Sequence, residues 1–283
     1  SAQGFDKDLS LAISEQYMPH SLESKVPKKS FSLTLSLTDR LDTLVGFFCI
    51  DQKPTSSKDP YALRRSALGI IRLIIENNKE FKIRGMINYS LSLHDEQGCK
   101  IINKSTNKDL IEFLLDRLRY YMKEKKIRAD IIEASIYSHN LDNINKIYKK
   151  ASKLNNVIYK EVGMNLISSY KRAANILENE LNNREQEISN SVDPGNFKND
   201  FEKNLFKKIK ELNKYFSSIN ADEQYEQTLI NLSSASIVIS QFFDNVIVND
   251  DDKTIKKNRL ELLQMLCKTF ENYINFSKIE NIK

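Results

Sequence analysis

The stretch "SFSLTLSLTDRLDTLVGFF", residues 30–48, decides the fold class, because it can be read in two ways. Phe31, Leu33, Leu35 and Leu37 alternate as in a half-buried strand, whereas Leu37, Leu41, Leu44, Val45 and Phe48 step along one face of a helix. A strand needs a partner with similar alternation, and none is visible nearby. One buried helix is therefore expected. Upstream, Phe5, Leu9, Ala12, Ile13 and Tyr17 recur at helical spacing until Pro19 ends the pattern. Downstream comes "KPTSSKDPYALRRSALG", residues 53–69, with Asp59 suited to an N-cap and Pro60 to the first helical position. Leu63, Ala67, Ile70, Ile71 and Ile74 then line one face. Arg65 and Arg72 are expected on the opposite face, and Arg64 at the edge of the stripe, where its stem can be half covered.

Further helices are legible in "DLIEFLLDRLRYYMKEKK", "RADIIEASIYS", "LDNINKIYKKASKL", "VGMNLISSYKRAANILENEL" and "DFEKNLFKKIKELNKYF". A long run from Asp222 to Val248 and a last helix near Thr254 to Phe276 complete the chain. The segment "NREQEISNSVDPGNF" reads as a loop on its Pro-Gly pair, and Asn249 to Asp252 as a turn that caps the last helix. The expected fold is all-α. With 283 residues it divides into two domains, 1–139 and 140–283, the junction falling near His139 to Asp142.

Composition narrows the function classes. Hydrophobic residues make up 40% and charged residues 29%, with no Trp and few Gly or Pro, as in a mostly helical protein. The net charge of +5 permits a nucleic-acid partner without demanding one. Cys49, Cys99 and Cys267 are too scattered for a disulfide framework or a metal-ligand spacing, so a cytoplasmic location is the default. No segment approaches the ~20 apolar residues of a membrane span. The opening "SAQGFDKDLSLAI" falls at once into a helical pattern without Met, which reads as a C-terminal piece of something longer.

Candidate chemistry is sparse. His94-Asp95 invites comparison with HD-type metal phosphohydrolases, but His20, His94 and His139 are scattered, and the plainer reading of each is a surface polar residue. Asp39 and Asp42 share a helical face and could hold a metal; their plainer role is an ion pair with Arg40 or another cation. In "SSYKRAANILENE", Lys171, Arg172 and Asn175 stand beside Tyr170, the cation, amide and ring combination used on single-stranded nucleic acid. The competing reading is an amphipathic helix with Ala173, Ile176 and Leu177 in the core. Phe242, Phe243, Val246 and Ile247 are expected to be core residues.

The segment "DRLDTLVGFFCIDQKPTSSKDPYALRRSALGIIRLI" resembles the bacterial glycyl-tRNA synthetase beta subunit family. "FLLDRLRYY", "IRADIIEASI", "YKRAANIL" and "FFDNVIVNDDD" with "NRLELL" follow in the order that family shows, so the resemblance spans essentially the whole chain. It implies a degenerate HD-like helical domain followed by a helical anticodon-binding domain similar to that of arginyl-tRNA synthetase. It also implies a glycine-tRNA ligase of two alpha and two beta subunits, in which alpha uses ATP and Mg while beta binds tRNA(Gly). No cofactor, metal or catalytic residue is expected in this stretch. The tRNA-binding residues implied are Arg172 and Asn175, with Lys171 and Arg259 as companions and Arg65 facing solvent or RNA phosphate. Arg64 is expected to meet an internal carboxylate such as Asp39 or Asp42. Gln16 stands where relatives tend to have His, which argues against hydrolysis by the HD-like part. The alternative is a helical scaffold for subunit contacts with little RNA binding.

Overall fold

The structure, a computed structural model, describes residues 4, 6–137, 142–182, 191–218 and 224–280. The described residues are helical or irregular, with no strand among them. They form two compact units, Ser1–Lys126 with Asn140–Tyr148, and Ile127–His139 with Lys149–Lys283. The junction expected near His139 lies mostly outside the described residues, and Phe5, Asp222 and the "NREQEISN" part of the expected loop lie outside them altogether.

The first unit contains α1 (Lys7–Glu15), α2 (Ser30–Cys49), α3 (Leu63–Glu76), α4 (Ile83–Glu96) and α5 (Thr106–Glu124). Helix α2 is central and packs on the other four. Its ambiguous first half is helical: Leu33, Leu37, Leu41, Leu44 and Phe48 are buried, while Phe31 is 51% exposed. Ser32 and Ser36, which a strand would have turned outward, are buried instead, and the Ser36 hydroxyl donates to the Met18 carbonyl at 2.7 Å. Burial at helical spacing over 20 residues outweighs a short alternation.

Helix α3 starts later than its sequence signals suggest. Asp59 and Pro60 lie in the turn before it, and Ala62, at φ 54°, is the N-cap residue. Asp59 still does the capping, because its carboxylate oxygens accept from the backbone N–H of Leu63 at 2.8 Å and of Arg64 at 3.0 Å. Arg72 is not on an outer face; it is 4% exposed and bound to the Ser24 carbonyl at 2.6 Å, to the Ser21 carbonyl and to Glu76 at 2.6 Å. Arg64 meets no carboxylate of α2, its guanidinium donating instead to the Thr55 carbonyl.

The second unit is built from α6 (Ala129–Ile136), most of α7 (Ile144–Val157), α8 (Glu161–Asn182), α9 (Asp200–Ser218), α10 (Tyr225–Ser233), α11 (Ser236–Asn245) and α12 (Lys253–Glu271). The run expected to continue to Val248 breaks at Ser234 and Ala235, where the Ser234 hydroxyl donates to the Asn231 carbonyl at 2.6 Å. Serine bonded to its own backbone favours such an interruption. Helix α12 packs on α8 and α9, and α11 packs on the same two, so α8 and α9 occupy opposite corners of a four-helix arrangement. Leu166, Tyr170, Leu205, Ile209, Phe242, Leu263, Leu266 and Phe270 fill its interior. Asp252 caps α12 by accepting from Thr254 N–H at 2.8 Å, as the sequence suggests. Helix α9 opens on a capping box: Asn199 Oδ1 accepts from Glu202 N–H at 3.1 Å, and Glu202 Oε2 accepts from Asn199 N–H at 3.1 Å.

Candidate nucleic-acid interface

Helix α8 can start where it does because Gly163 lets α7 end against it. A Cβ there would fall 2.3 Å from the Val157 carbonyl oxygen, so no larger residue fits this close approach. From that start, Leu166, Ile167, Tyr170, Ala173 and Leu177 face the core. The remaining face carries Lys171, half-buried, with Arg172 and Asn175, both exposed. Arg172 and Asn175 are one turn apart, so both can reach a common ligand.

The Arg172 guanidinium lies over the Phe243 ring, 4.5 Å from its centroid, with Asp244 Oδ1 at 3.6 Å from Nη1. Phe243 thus holds the planar cation in place while leaving the side chain 47% exposed. Beside it, α8 and α11 border a groove of about 270 Å³. Asn165, Ser168 and Ser169 line one wall, Ser236 and Ser240 the other, and Ile237 is 67% exposed at the rim. Hydroxyl and amide groups that both donate and accept, an apolar rim and one stacked guanidinium suit the edge and face of an unpaired base. The sequence signal for the α11 wall is Ser236 and Ser240 at i, i+4, which the aromatic residues that follow obscure.

Several expected contacts fall elsewhere. Tyr170 offers no stacking surface: it is 3% exposed, its ring meets Phe270 and Phe276, and its hydroxyl donates to Glu271 at 2.8 Å. Burial, then the Glu271 hydrogen bond, pushes that phenol well above its ordinary pKa. Arg259, expected at the RNA surface, is buried at 5% exposure. Its guanidinium donates to Glu202 Oε1 at 2.7 Å, to Asp250 Oδ2 at 2.7 Å and to the Ile247 carbonyl at 2.8 Å. A guanidinium so enclosed is a structural tie and presents nothing to a phosphate. Ile247, expected in the core, is 78% exposed, and Phe243 is half-buried beneath Arg172. In the first unit, Arg65 is exposed on the surface of α3.

The HD-like candidates pair off one by one. Gln16 Nε2 donates to Asp39 Oδ1 at 2.9 Å, so an amide occupies one candidate carboxylate. Asp42 Oδ1 lies 3.1 Å from His94 Nε2 and accepts from Ser90 Oγ at 3.1 Å. Arg40 turns from both carboxylates to the carbonyls of Tyr17 at 2.6 Å and Pro19 at 3.0 Å. Among the described residues, no group of three or more His, Cys, Asp or Glu side chains is placed to hold a metal ion. None of the described helices is long and apolar enough to cross a membrane.

Comparison with known proteins gives the two parts separate matches. Residues 1–137 match the family model described as glycyl-tRNA synthetase beta subunit, and residues 166–283 match the DALR anticodon binding domain. The chain is 36% identical over 277 residues to the glycine-tRNA ligase beta subunit of Rickettsia canadensis, covering 98% of this chain and 39% of the relative. That of Rickettsia peacockii is 36% identical over 278 residues, and that of Rickettsia typhi 35% over 277, with the same coverage. The chain thus spans about two fifths of the length of the curated relatives it matches. On these two family matches and an alignment over 98% of its length, the chain is similar throughout to part of the glycyl-tRNA synthetase beta subunit.

Proposed function

We propose that this chain is the tRNA-binding part of the beta subunit of a glycine-tRNA ligase. It supports the ATP-dependent attachment of glycine to tRNA(Gly) that the alpha subunit catalyses in the cytoplasm. The observation that carries the reading is the groove between α8 and α11, with Arg172 stacked on Phe243 at its edge, inside the segment matching an anticodon-binding domain. A neutral, hydrogen-bonding groove beside a fixed cation recognises an unstacked base; Lys171 and Asn175 extend the same face. ATP and Mg belong to the alpha subunit in this reading, and the first unit acts as a helical scaffold whose exposed Arg65 meets backbone phosphate.

The test is filter binding of tRNA(Gly) to the full beta subunit across salt. Affinity is expected to fall steeply between about 50 and 200 mM salt, as phosphate contacts release counterions. Arg172→Ala is expected to weaken binding about tenfold, in the range of one stacking or base-edge contact, with the thermal midpoint nearly unchanged. Wild-type affinity in Arg172→Ala removes the groove from the site. Affinity for tRNA(Gly) no better than for an unrelated polyanion removes the reading itself.

A further inference from the structure

In the first unit, α2 and α4 lie side by side in a fixed register. The Ser90 hydroxyl donates to Asp42 Oδ1, 48 positions earlier, at 3.1 Å, and one turn further on a Cβ added at Gly46 would meet the His94 ring at 3.5 Å. The same register puts Cys49, the last residue of α2, level with the end of α4. From there the chain turns back onto α2. Gly98, at φ 78°, takes the left-handed step; its N–H donates to the Asp95 carbonyl at 2.9 Å, and the Cys99 N–H donates to the His94 carbonyl at 3.0 Å. This paired helix ending sets residue 99 against the last turn of α4. Three residues later, Ile102 and Asn103 both donate their backbone N–H to the Cys49 carbonyl, at 2.8 and 2.9 Å. Cys99 is thus held between an anchor on α4 and an anchor on Cys49 itself.

The two thiols differ in access. Cys99 is exposed, whereas Cys49 is 1% exposed and its Sγ donates to the Gly46 carbonyl at 3.1 Å. Burial raises the Cys49 thiol above its ordinary pKa, and the next contribution is the Cys99 thiol, which is therefore near enough to act on it electrostatically. Residues 99–101 join the two anchors and belong to no helix, so adjustment toward the Cα separation of a disulfide, about 4.4–6.8 Å, falls on them.

We propose that Cys49 and Cys99 form a reversible thiol–disulfide site whose oxidant is a small-molecule disulfide of the glutathione disulfide class. The Cys99 thiol loses its proton and attacks one sulfur of the oxidant; the S–S bond of the oxidant breaks, and the thiolate that leaves is protonated in turn. Cys49 then loses its proton and attacks the Cys99 sulfur; the mixed disulfide breaks, and the second small thiolate leaves and is protonated. Two protein thiols are oxidised to one disulfide, and one small disulfide is reduced to two thiols. Cys99 opens the sequence because the oxidant does not reach the buried Cys49. The closed bond ties the end of α2 to the end of α4 around a loop of about 50 residues, and an excess of reduced thiol reverses it. The site goes beyond the RNA-binding reading and uses none of its residues.

The experiment incubates the reduced full beta subunit with glutathione disulfide, blocks the remaining thiols, and follows the peptides carrying Cys49, Cys99 and Cys267 by mass spectrometry. With reduced glutathione held below about 0.1 mM, under the mM effective concentration of a tethered neighbour, the Cys49–Cys99 disulfide should exceed the mixed disulfide on Cys99 by about tenfold. Cys267, buried in the second unit, should stay reduced. Cys49→Ser should stop at the mixed disulfide on Cys99, and Cys99→Ser should slow oxidation of Cys49 by about tenfold or more, as burial demands. Cys49 oxidised equally fast in Cys99→Ser overturns the proposal, as does a disulfide from Cys99 to any other cysteine, or no oxidation of either thiol. Because Cys49 is buried, Cys49→Ala is run beside Cys49→Ser; should neither fold, the wild-type ratio decides, and mixed disulfide in excess over the internal one overturns the site.

Discussion

Replacing Arg259 by Ala should destabilise the second unit sharply while leaving RNA recognition to other residues. Glu202 is fully buried and Arg259 is 5% exposed, with 2.7 Å between guanidinium and carboxylate. Removing one partner of such a pair strands the other charge out of water, at a cost of about 3–5 kcal/mol. The second Glu202 oxygen keeps its backbone donors at Lys198, 2.7 Å, and Asn199, 3.1 Å, which places the expected loss at the lower end, about 3 kcal/mol. For a unit of about 150 residues each kcal/mol moves the midpoint by roughly 2–4 °C, so a drop of about 6–12 °C is expected. Thermal unfolding followed by far-ultraviolet circular dichroism reads it directly. The double variant Glu202→Leu with Arg259→Leu should recover much of the loss, since no charge is left buried. A single-variant loss below about 1 kcal/mol, the size of an ordinary surface substitution, would refute the reasoning. So would a loss of tRNA affinity at unchanged midpoint, which would return Arg259 to the RNA surface.

Gly69→Ala should destabilise the first unit by about 1–3 kcal/mol, as overpacking does, because its Cβ would fall 2.8 Å from the Arg40 guanidinium carbon, itself anchored by two carbonyls; an unchanged denaturant midpoint would show that Arg40 can move aside. Cys99 is exposed, whereas burial raises the Cys49 thiol and pushes that of Cys267 up to about 12. A thiol reagent should therefore label one cysteine promptly in the native protein and three after denaturation, and fast native labelling of Cys267 would contradict its burial. The Asp250 carboxyl is held below the usual carboxylate range, first by the Asp252 backbone N–H and then by Arg259 against opposing desolvation. A depressed folded pKa means that its contribution is complete above about pH 4 and is lost as the pH falls through the folded value. Asp250→Asn should lose less stability on acidification below pH 4 than the parent, and parallel acid profiles would remove Asp250 from the network.

The helices of both units were legible because their apolar periodicity is strong: Leu33 to Phe48 in α2 and Leu63 to Ile74 in α3 bury the faces that the sequence marks out. What sequence pattern misplaced were cations and rings on faces of intermediate character. Arg72 and Arg259 look like surface residues in a linear pattern, yet each is drawn inward by acceptors 48 to 57 positions away. Tyr170 reads as a recognition ring only until Phe270 and Phe276, a hundred residues later, close over it. Periodicity reports which face is apolar and carries no information about a distant partner. The sequence singled out Lys171, Arg172 and Asn175 on α8, but not the opposing wall of Ser236 and Ser240, which exists only once α11 lies against α8.

The capping box at the start of α9 also bears on how the second unit opens. Its Glu202 is satisfied on one oxygen by the first turn of α9 and on the other by Arg259, 57 residues onward in α12. Fraying of that first turn therefore exposes an ion pair belonging to another helix, and release of α12 strips a counter-charge from α9. The N-terminal end of α9, where helices ordinarily fray first, should exchange its amide hydrogens only with the opening of the whole bundle. The first turn of α9 would then stand on a backbone that does not yield locally.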